Sequence, residues 1–301
     1  VSGHHHDHAA IARQGRSLVI SIVLNLGFAV VELVFGLAAN SLALVADAVH
    51  DASDALALGL SWFGLRMSAR APDRRRTFGY KKVRILTAFI NALVLGLLTA
   101  FIVRAAIGRI LSPEPVHSQT VIIVAIAGLI INGAAVLLLR RDRASLNIRA
   151  AMWHLLEDFF GWIAVLVGGI VMRFTGWYWV DPVLSLLVSA FVLWGAWSVF
   201  REATRILIDS TPHDLDFDEV RQFVIGFDPQ VTGVHDLHIW TLGEGERALM
   251  AHLAVDDAAV SSFHPLLSRL ECALHDRYEI THVTLELECG ECKSGERVCR
   301  Q

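Results

Sequence analysis

Two copies of His-x-x-x-Asp lie inside apolar stretches of the chain: His50 and Asp54 in ALVADAVHDASDALALGL, His154 and Asp158 in AAMWHLLEDFFGWIAVLVGG. Residues four apart share one face of an α-helix, so each copy turns an imidazole and a carboxylate the same way. Where two such helices meet, four N and O ligands converge, a set that suits a tetrahedral divalent ion such as zinc. Ionisable groups at membrane depth are costly and mark a pathway or a site.

The elements that must position these residues are membrane helices. Of 301 residues, 54% are hydrophobic and only 19% charged, and mean hydropathy is +0.50. That is too apolar for an ordinary soluble domain. About 20 apolar residues span a bilayer. Six stretches qualify, at 18–39, 42–65, 84–108, 120–139, 151–172 and 180–200. No cleavable signal peptide is evident, because the first stretch is long enough to span and lacks a clear small-residue cleavage site. Basic residues crowd the loop after the second stretch (Arg66, Arg70, Arg74, Arg75, Arg76, Lys81, Lys82, Arg84) and the loop after the fourth (Arg140, Arg141, Arg143, Arg149). The positive-inside rule puts both loops, and with them both termini, in the cytoplasm. Trp177, Tyr178 and Trp179 read as an interfacial aromatic belt on the opposite side.

After Pro212 the chain changes character. LDFDEVRQFVIGF has helical spacing, VTGVHDLHIWTL and RALMAHLAVDD read as strands joined by a glycine-containing turn, SSFHPLLSRLECALHDRY is an amphipathic helix, and ITHVTLELE alternates strictly. The order αββαβ predicts a ferredoxin-like sheet with its helices on one face. The fold class is thus an α-helical membrane protein of six transmembrane helices with a C-terminal cytoplasmic α+β domain. Its expected divisions are a His-rich tail (1–16), the six-helix domain (17–208), the α+β domain (209–288) and a Cys-containing tail (289–301).

Four segments together resemble the cation diffusion facilitator family of metal exporters: LVADAVHDASDA, RTFGYKKVRILTAFINA, AMWHLLEDFFGWIAV and GVHDLHIWTL. The resemblance covers nearly the whole chain. It implies that His50, Asp54, His154 and Asp158 are the transport ligands, in a zinc-preferring pattern where some relatives carry a third aspartate in place of the histidine. It also implies a homodimer formed through the cytoplasmic domain, and metal ligands there at His235, His252 and Glu288. The alternation supports the last two: Glu288 falls on the polar face of its strand, and His252 is out of phase with Leu249, Leu253 and Val255. His235, at a strand start, has no assigned face. Solvated surface histidine is the alternative for each.

Other polar groups carry weaker signals. Asp47 lies four residues before Asp51 and could line the same passage. Asp51 and Glu157 sit one position from a ligand, where capping, inter-helix bonding or water-facing placement is expected. Asn25, Glu32, Asn91 and Asn132 are expected to form inter-helical hydrogen bonds. Some family members bind metal in the loop after the second span. Here APDRRRTFGYKK holds Asp73 but no histidine, so no metal is expected there, and the basic cluster serves orientation or contacts anionic lipid heads. Cys289 and Cys292 supply two ligands of a tetrahedral set, which His4, His5, His6 and His8 could complete, or they belong to a reduced, exposed tail. His264, His282 and Glu286 are further candidates near the tail-domain ligands.

The expected function is export of zinc, with cobalt and cadmium as further candidates, from the cytoplasm in exchange for protons, across a bacterial inner membrane. Zinc is then the cargo and a regulatory ligand of the cytoplasmic domain. Divalent metal ions, protons, membrane lipid and a second copy of the chain are the expected partners, with no nucleic acid. Rival readings are a passive divalent-metal channel or a metal-sensing receptor. An intramembrane metal-dependent hydrolase fits less well: the chain lacks His-Glu-x-x-His, and four ligands leave no position for catalytic water.

Overall fold

The structure, a computed structural model, describes residues 7–68, 70–139, 146–243, 245–256 and 260–289. Side chains before residue 22, of Leu24, of several residues between 135 and 154, of residues 260–262 and of Cys289 lie outside the description. The chain divides into two compact units, one of Val1–Ser61 with Ile90–Phe200, the other of Trp62–Phe89 with Arg201–Gln301.

Six long helices come first: α1 (Asp7–Ala39), α2 (Leu42–Ser68), α3 (Lys81–Leu111), α4 (Ser118–Leu139), α5 (Leu146–Thr175) and α6 (Val180–Leu207). Each overruns its apolar stretch, because helix propensity continues where hydrophobicity stops. The excess is largest in α1, which begins at Asp7 inside the expected polar tail, where Ala9, Ala10, Ala12, Arg13 and Gln14 are good helix formers. Among the described residues, Lys82–Leu111, Leu155–Thr175 and Val180–Leu207 are long and apolar enough to cross a membrane, and Asn25–Ala39 and Ser118–Ala134 are shorter apolar helices. The three aspartates of α2 lower its hydropathy, although it has the length.

Two apolar clusters hold the first unit together. Ala39, Leu44, Val121, Val124, Trp162, Val165 and Met172 join α1, α2, α4 and α5. Leu95, Val192 and Ala196, with Val49 against them, join α3, α6 and α2. Close approach of α4 and α5 depends on Gly128, where a Cβ would lie 2.3 Å from the Trp162 ring. Gly133 faces Phe159 and Gly169 faces Ile122, so the two helices run antiparallel with small residues at the crossing. Large side chains such as Leu97, Phe101, Leu137 and Trp194 point outward and exposed, as lipid-facing surface does.

The end of this unit at the α1–α2 turn is tied by polar groups. Asn40 adopts φ 54°, a left-handed conformation that asparagine tolerates. Asp181, fully buried at the start of α6, accepts hydrogen bonds from Ser41 Oγ and from the Leu42 amide at 2.7 Å, while Ser41 Oγ serves the Leu44 amide at 3.3 Å. These bonds satisfy the exposed amides at the start of α2. Arg109 at the end of α3 donates to the Asn40 carbonyl at 2.6 Å and lies 3.3 Å from Glu114.

In the second unit, α7 (Phe217–Ile225), β1 (Val231–Gly243), β2 (Glu246–Val255), α8 (Val260–Tyr278) and β3 (Ile280–Cys289) follow in the expected αββαβ order. Asp216 caps α7, accepting from the Asp218 and Glu219 amides at 2.8 and 3.0 Å. The sheet order is β1-β2-β3, with β1–β2 antiparallel and β2–β3 parallel, α8 making the crossover that parallel pairing requires. One face of the sheet (Leu249, Ala251, Leu253, Val255) buries Val220 and Val224 of α7 and Leu266, Leu270 and Leu274 of α8. Each fully buried leucine contributes roughly 1.5–3 kcal/mol. Residues 62–89 belong to this unit, where Lys82 Nζ meets Asp209 at 2.6 Å, Lys81 pairs with Glu246, and the Phe78 ring packs edge-on to His282 at 5.4 Å.

Candidate functional site

In the membrane unit, His50 and Asp54 sit one turn apart on α2. Nε2 of His50 is 4.0 Å from Asp54 Oδ2, and both side chains are partly buried. Asp158 is partly buried on α5, one turn beyond His154. The backbone of His154 is helical and its side chain lies outside the description. Asp47 of α2 has His50 and Asp158 as electrostatic neighbours, so the acidic faces of α2 and α5 are turned toward one another. Glu157 is exposed, which agrees with the water-facing placement that was one of its expected roles. Asn91 donates to Ser53 of α2 at 3.4 Å, the inter-helical bond expected of it. Asn132 instead donates to the Gly128 carbonyl of its own helix at 3.2 Å, because a short side chain on a helix can reach the carbonyl one turn back.

Asp73 is fully engaged within its own loop. It accepts from the Arg75 and Arg76 amides at 2.7 and 2.8 Å and from Tyr80 Oη at 2.7 Å. The Tyr80 hydroxyl, followed by the two amides, holds its carboxyl below the usual carboxylate range. Its oxygens are committed to donors within the loop.

The sheet gathers a second constellation on the face away from the helices. His235 of β1 stands opposite His252 of β2, and His252 stands opposite Glu286 of β3. Glu288 offers Oε2 to His235 Nε2 at 3.0 Å and Oε1 to His252 Nδ1 at 2.8 Å. The two imidazoles meet edge to face at 5.2 Å. Among the described residues, His235, His252 and Glu288 form a group whose ligand atoms all lie within 4.8 Å of one another. Two imidazoles and a carboxylate on a half-buried surface match the donor set zinc prefers, with a fourth position left for water or another donor.

One member was not anticipated. Asp236 has φ 48° in the register shift between His235 and His238. This bulge re-aims its carboxylate to 3.5 Å from His252 Nε2 and 3.1 Å from His238 Nε2. The His-Asp-x-His run held the residue types, but strict alternation assigns Asp236 to the wrong side. Glu286, largely exposed, also reaches His252 Nε2 at 3.5 Å. His264 is exposed on α8 beside Ser268, and His282 packs on Phe78. Neither joins the group. Cys292, His4, His5 and His6 lie outside the described residues, as do the side chains of Cys289 and His8.

Residues 18–208 match the family described as cation efflux transmembrane domain, and residues 212–289 the family described as cation efflux protein, cytoplasmic domain. The chain is 36% identical to the metal cation efflux system protein CzcD of Cupriavidus metallidurans, over 98% of this chain and 92% of that protein. It is 34% identical to the zinc transporter ZitB of Escherichia coli, over 96% and 92%. It is 32% identical to a cadmium, cobalt and zinc/H(+)-K(+) antiporter of Bacillus subtilis, over 95% and 92%. Among solved structures, the metal-bound C-terminal domain of the CzcD transporter from Cupriavidus metallidurans is 36% identical, covering 25% of this chain and 99% of that one, with a TM-score of 0.22.

Proposed function

The chain belongs to the cation efflux family, and from that membership we propose that it exports zinc from the cytoplasm in exchange for protons. It is a membrane metal-cation transporter rather than an enzyme, as its named relatives are. The finer reading rests above all on the one-turn pairing of His50 with Asp54, with Asp158 facing the same helix.

In this reading His50, Asp54, His154 and Asp158 hold the cargo ion. Two imidazoles and two carboxylates give zinc four N and O donors, and the carboxylates offset its charge in a low-dielectric passage. Each ligand must lose its proton to bind metal, so zinc and protons compete for one set of atoms. Imidazole titrates near neutral pH, which lets a modest gradient drive that exchange. Alternation between inward and outward openings would move the site from one side to the other. His235, His252 and Glu288, braced by Asp236, bind a second zinc that reports cytoplasmic metal and tightens a homodimer. Both termini face the cytoplasm and the protein resides in a bacterial inner membrane. Two named relatives, the zinc transporter and the proton-coupled antiporter, support zinc and proton exchange.

The test is reconstitution in sealed vesicles with an imposed pH gradient and an internal zinc dye, comparing the parent chain with Asp158→Ala. Gradient-driven zinc flux that disappears in the variant is expected. Flux indifferent to the gradient would mark a channel instead. Absence of flux for zinc, cobalt and cadmium in folded protein would leave the four residues as a receptor or structural site.

A further inference from the structure

Between the ends of α2 and α3, residues 66–84 hold eight Lys and Arg residues and one acid, Asp73. Lys81 pairs with Glu246, Lys82 with Asp209, and Arg76 with Asp73 at 3.9 Å. Arg66, Arg70, Arg74 and Arg75 are exposed, and none of the four has an acidic partner among the described residues. The segment holding two of them is ordered by its own backbone. The Asp73 amide donates to the Arg76 carbonyl and the Arg76 amide to the Asp73 carbonyl, both at 3.2 Å. Arg74 and Arg75 are therefore the two central residues of a β-turn that begins at an aspartate.

Helix packing sets the level of this charge. A Cβ on Gly64 of α2 would lie 3.0 Å from Cα and Cβ of Arg84, so α2 and α3 touch there. On α2 the exposed apolar side chains run up to that contact with Trp62, Phe63 and Leu65. On α3 they begin just past it at Leu86 and continue along the helix. The apolar surface of both helices thus ends where the arginines begin. Arg66, one turn beyond Trp62, lies with its guanidinium 5.7 Å from the centre of the indole. A tryptophan followed by a cation at the end of an apolar helix marks the lipid headgroup level. A soluble anion would meet the guanidinium groups and gain nothing from Trp62, Phe63 and Leu65. A phospholipid with net negative charge meets both.

We propose that Arg66, Arg70, Arg74 and Arg75, with Trp62, Phe63 and Leu65 as their apolar rim, form a binding surface for an anionic phospholipid. Guanidinium groups offer paired N–H donors to phosphate oxygens. The acyl chains lie along the exposed apolar side chains of α2. A zwitterionic lipid carries the same phosphate with a cation beside it, so four unneutralised arginines select for net negative charge. The surface uses none of the proposed cargo ligands. It holds against the bilayer a loop whose Lys81 and Lys82 are paired with Glu246 and Asp209.

The experiment uses the full chain in mixed micelles of phosphatidylglycerol and phosphatidylcholine, with bound lipids counted by native mass spectrometry. The parent chain should retain phosphatidylglycerol in preference. Arg74→Gln together with Arg75→Gln should cut that preference about tenfold or more, since each basic residue at an anionic surface is worth roughly fivefold. Adding Arg66→Gln and Arg70→Gln should abolish it. Arg173→Gln, an exposed arginine near the far end of α5, should leave it unchanged. A parent chain without the preference, or a fourfold variant that keeps it, overturns the surface. An equal loss in Arg173→Gln also overturns it, because the effect then follows total charge rather than this loop. Glycerol phosphate is the headgroup without its chains. If it displaces the lipid at matched concentration, the arginines hold a soluble anion and the lipid assignment fails. Should the fourfold variant fail to fold, the Arg74 and Arg75 pair decides, and a parental preference there counts against the surface. Zinc flux is not read, so neither result bears on the export reading.

Discussion

Nδ1 of His252 stands 2.8 Å from Oε1 of Glu288, across the parallel β2–β3 pairing. The same carboxylate reaches His235 with its other oxygen, so one side chain of β3 joins both imidazoles. A metal ion would take over a contact geometry that these three side chains already hold among themselves.

Zinc titration of the full chain in an Asp158→Ala background isolates this tail-domain site. Glu288→Ala should weaken zinc there by more than the roughly 10–100-fold typical of outer-shell partners. Asp236→Asn, acting only through His252 and His238, should fall inside that range. A Glu288→Ala chain that titrates like its parent would falsify the site.

At the membrane unit's polar turn, Asp181→Ala should destabilise the fold by about 1–2 kcal/mol, the cost of losing a helix cap. Asp181→Asn should cost less, since its amide oxygen still accepts from the Leu42 amide. Thermal unfolding in detergent of the two variants side by side reads the difference. Equal stability of both with the parent would show that the buried carboxylate does not hold α2.

Gly128→Ala should cost about 1–3 kcal/mol by overpacking, because its methyl group meets the Trp162 ring. Trp162→Leu in the same chain should recover part of that loss relative to Trp162→Leu alone. A double-variant cycle of unfolding midpoints measures the coupling.

Asp73 is exposed and held below the usual carboxylate range, chiefly by Tyr80. With the folded value depressed, its loop contacts are complete above the unfolded aspartate value and are lost as pH falls through the lower, folded one. Neutral and mildly acidic pH should therefore leave them intact. Tyr80→Phe should move the Asp73 titration upward, followed by carboxyl-carbon NMR on selectively labelled protein. No movement would show that the phenol is not what holds the carboxylate. Asp73→Ala should leave the number of bound zinc ions unchanged.

Much of this arrangement was legible in residue order. The four-residue spacing of His50 and Asp54 needs only helical geometry, and strand alternation was enough to put His252 and Glu288 on one face. Asp236 was not legible, because a bulge breaks the alternation and leaves no residue-type signature in HDLH. The facing of His235 was open for the same reason. Glu32 was legible as a polar residue in an apolar helix, but its complete burial depends on which helices pack against it, and that is a tertiary fact. Asn132 bonding to its own helix, and α1 reaching back to Asp7, show local backbone preferences prevailing over patterns read from hydrophobicity.

The ladder that sets His235 opposite His252, and His252 opposite Glu286, has a consequence for how such a domain can vary. Successive strand residues point to opposite faces, so a one-residue slip sends every side chain to the other side. Insertions of two residues in β3 preserve the parity of Glu288, whereas a single insertion turns it into the core and brings Leu287 out in its place. Ligand identity is open to point substitution one position at a time, but the odd-or-even count of residues along each strand is not.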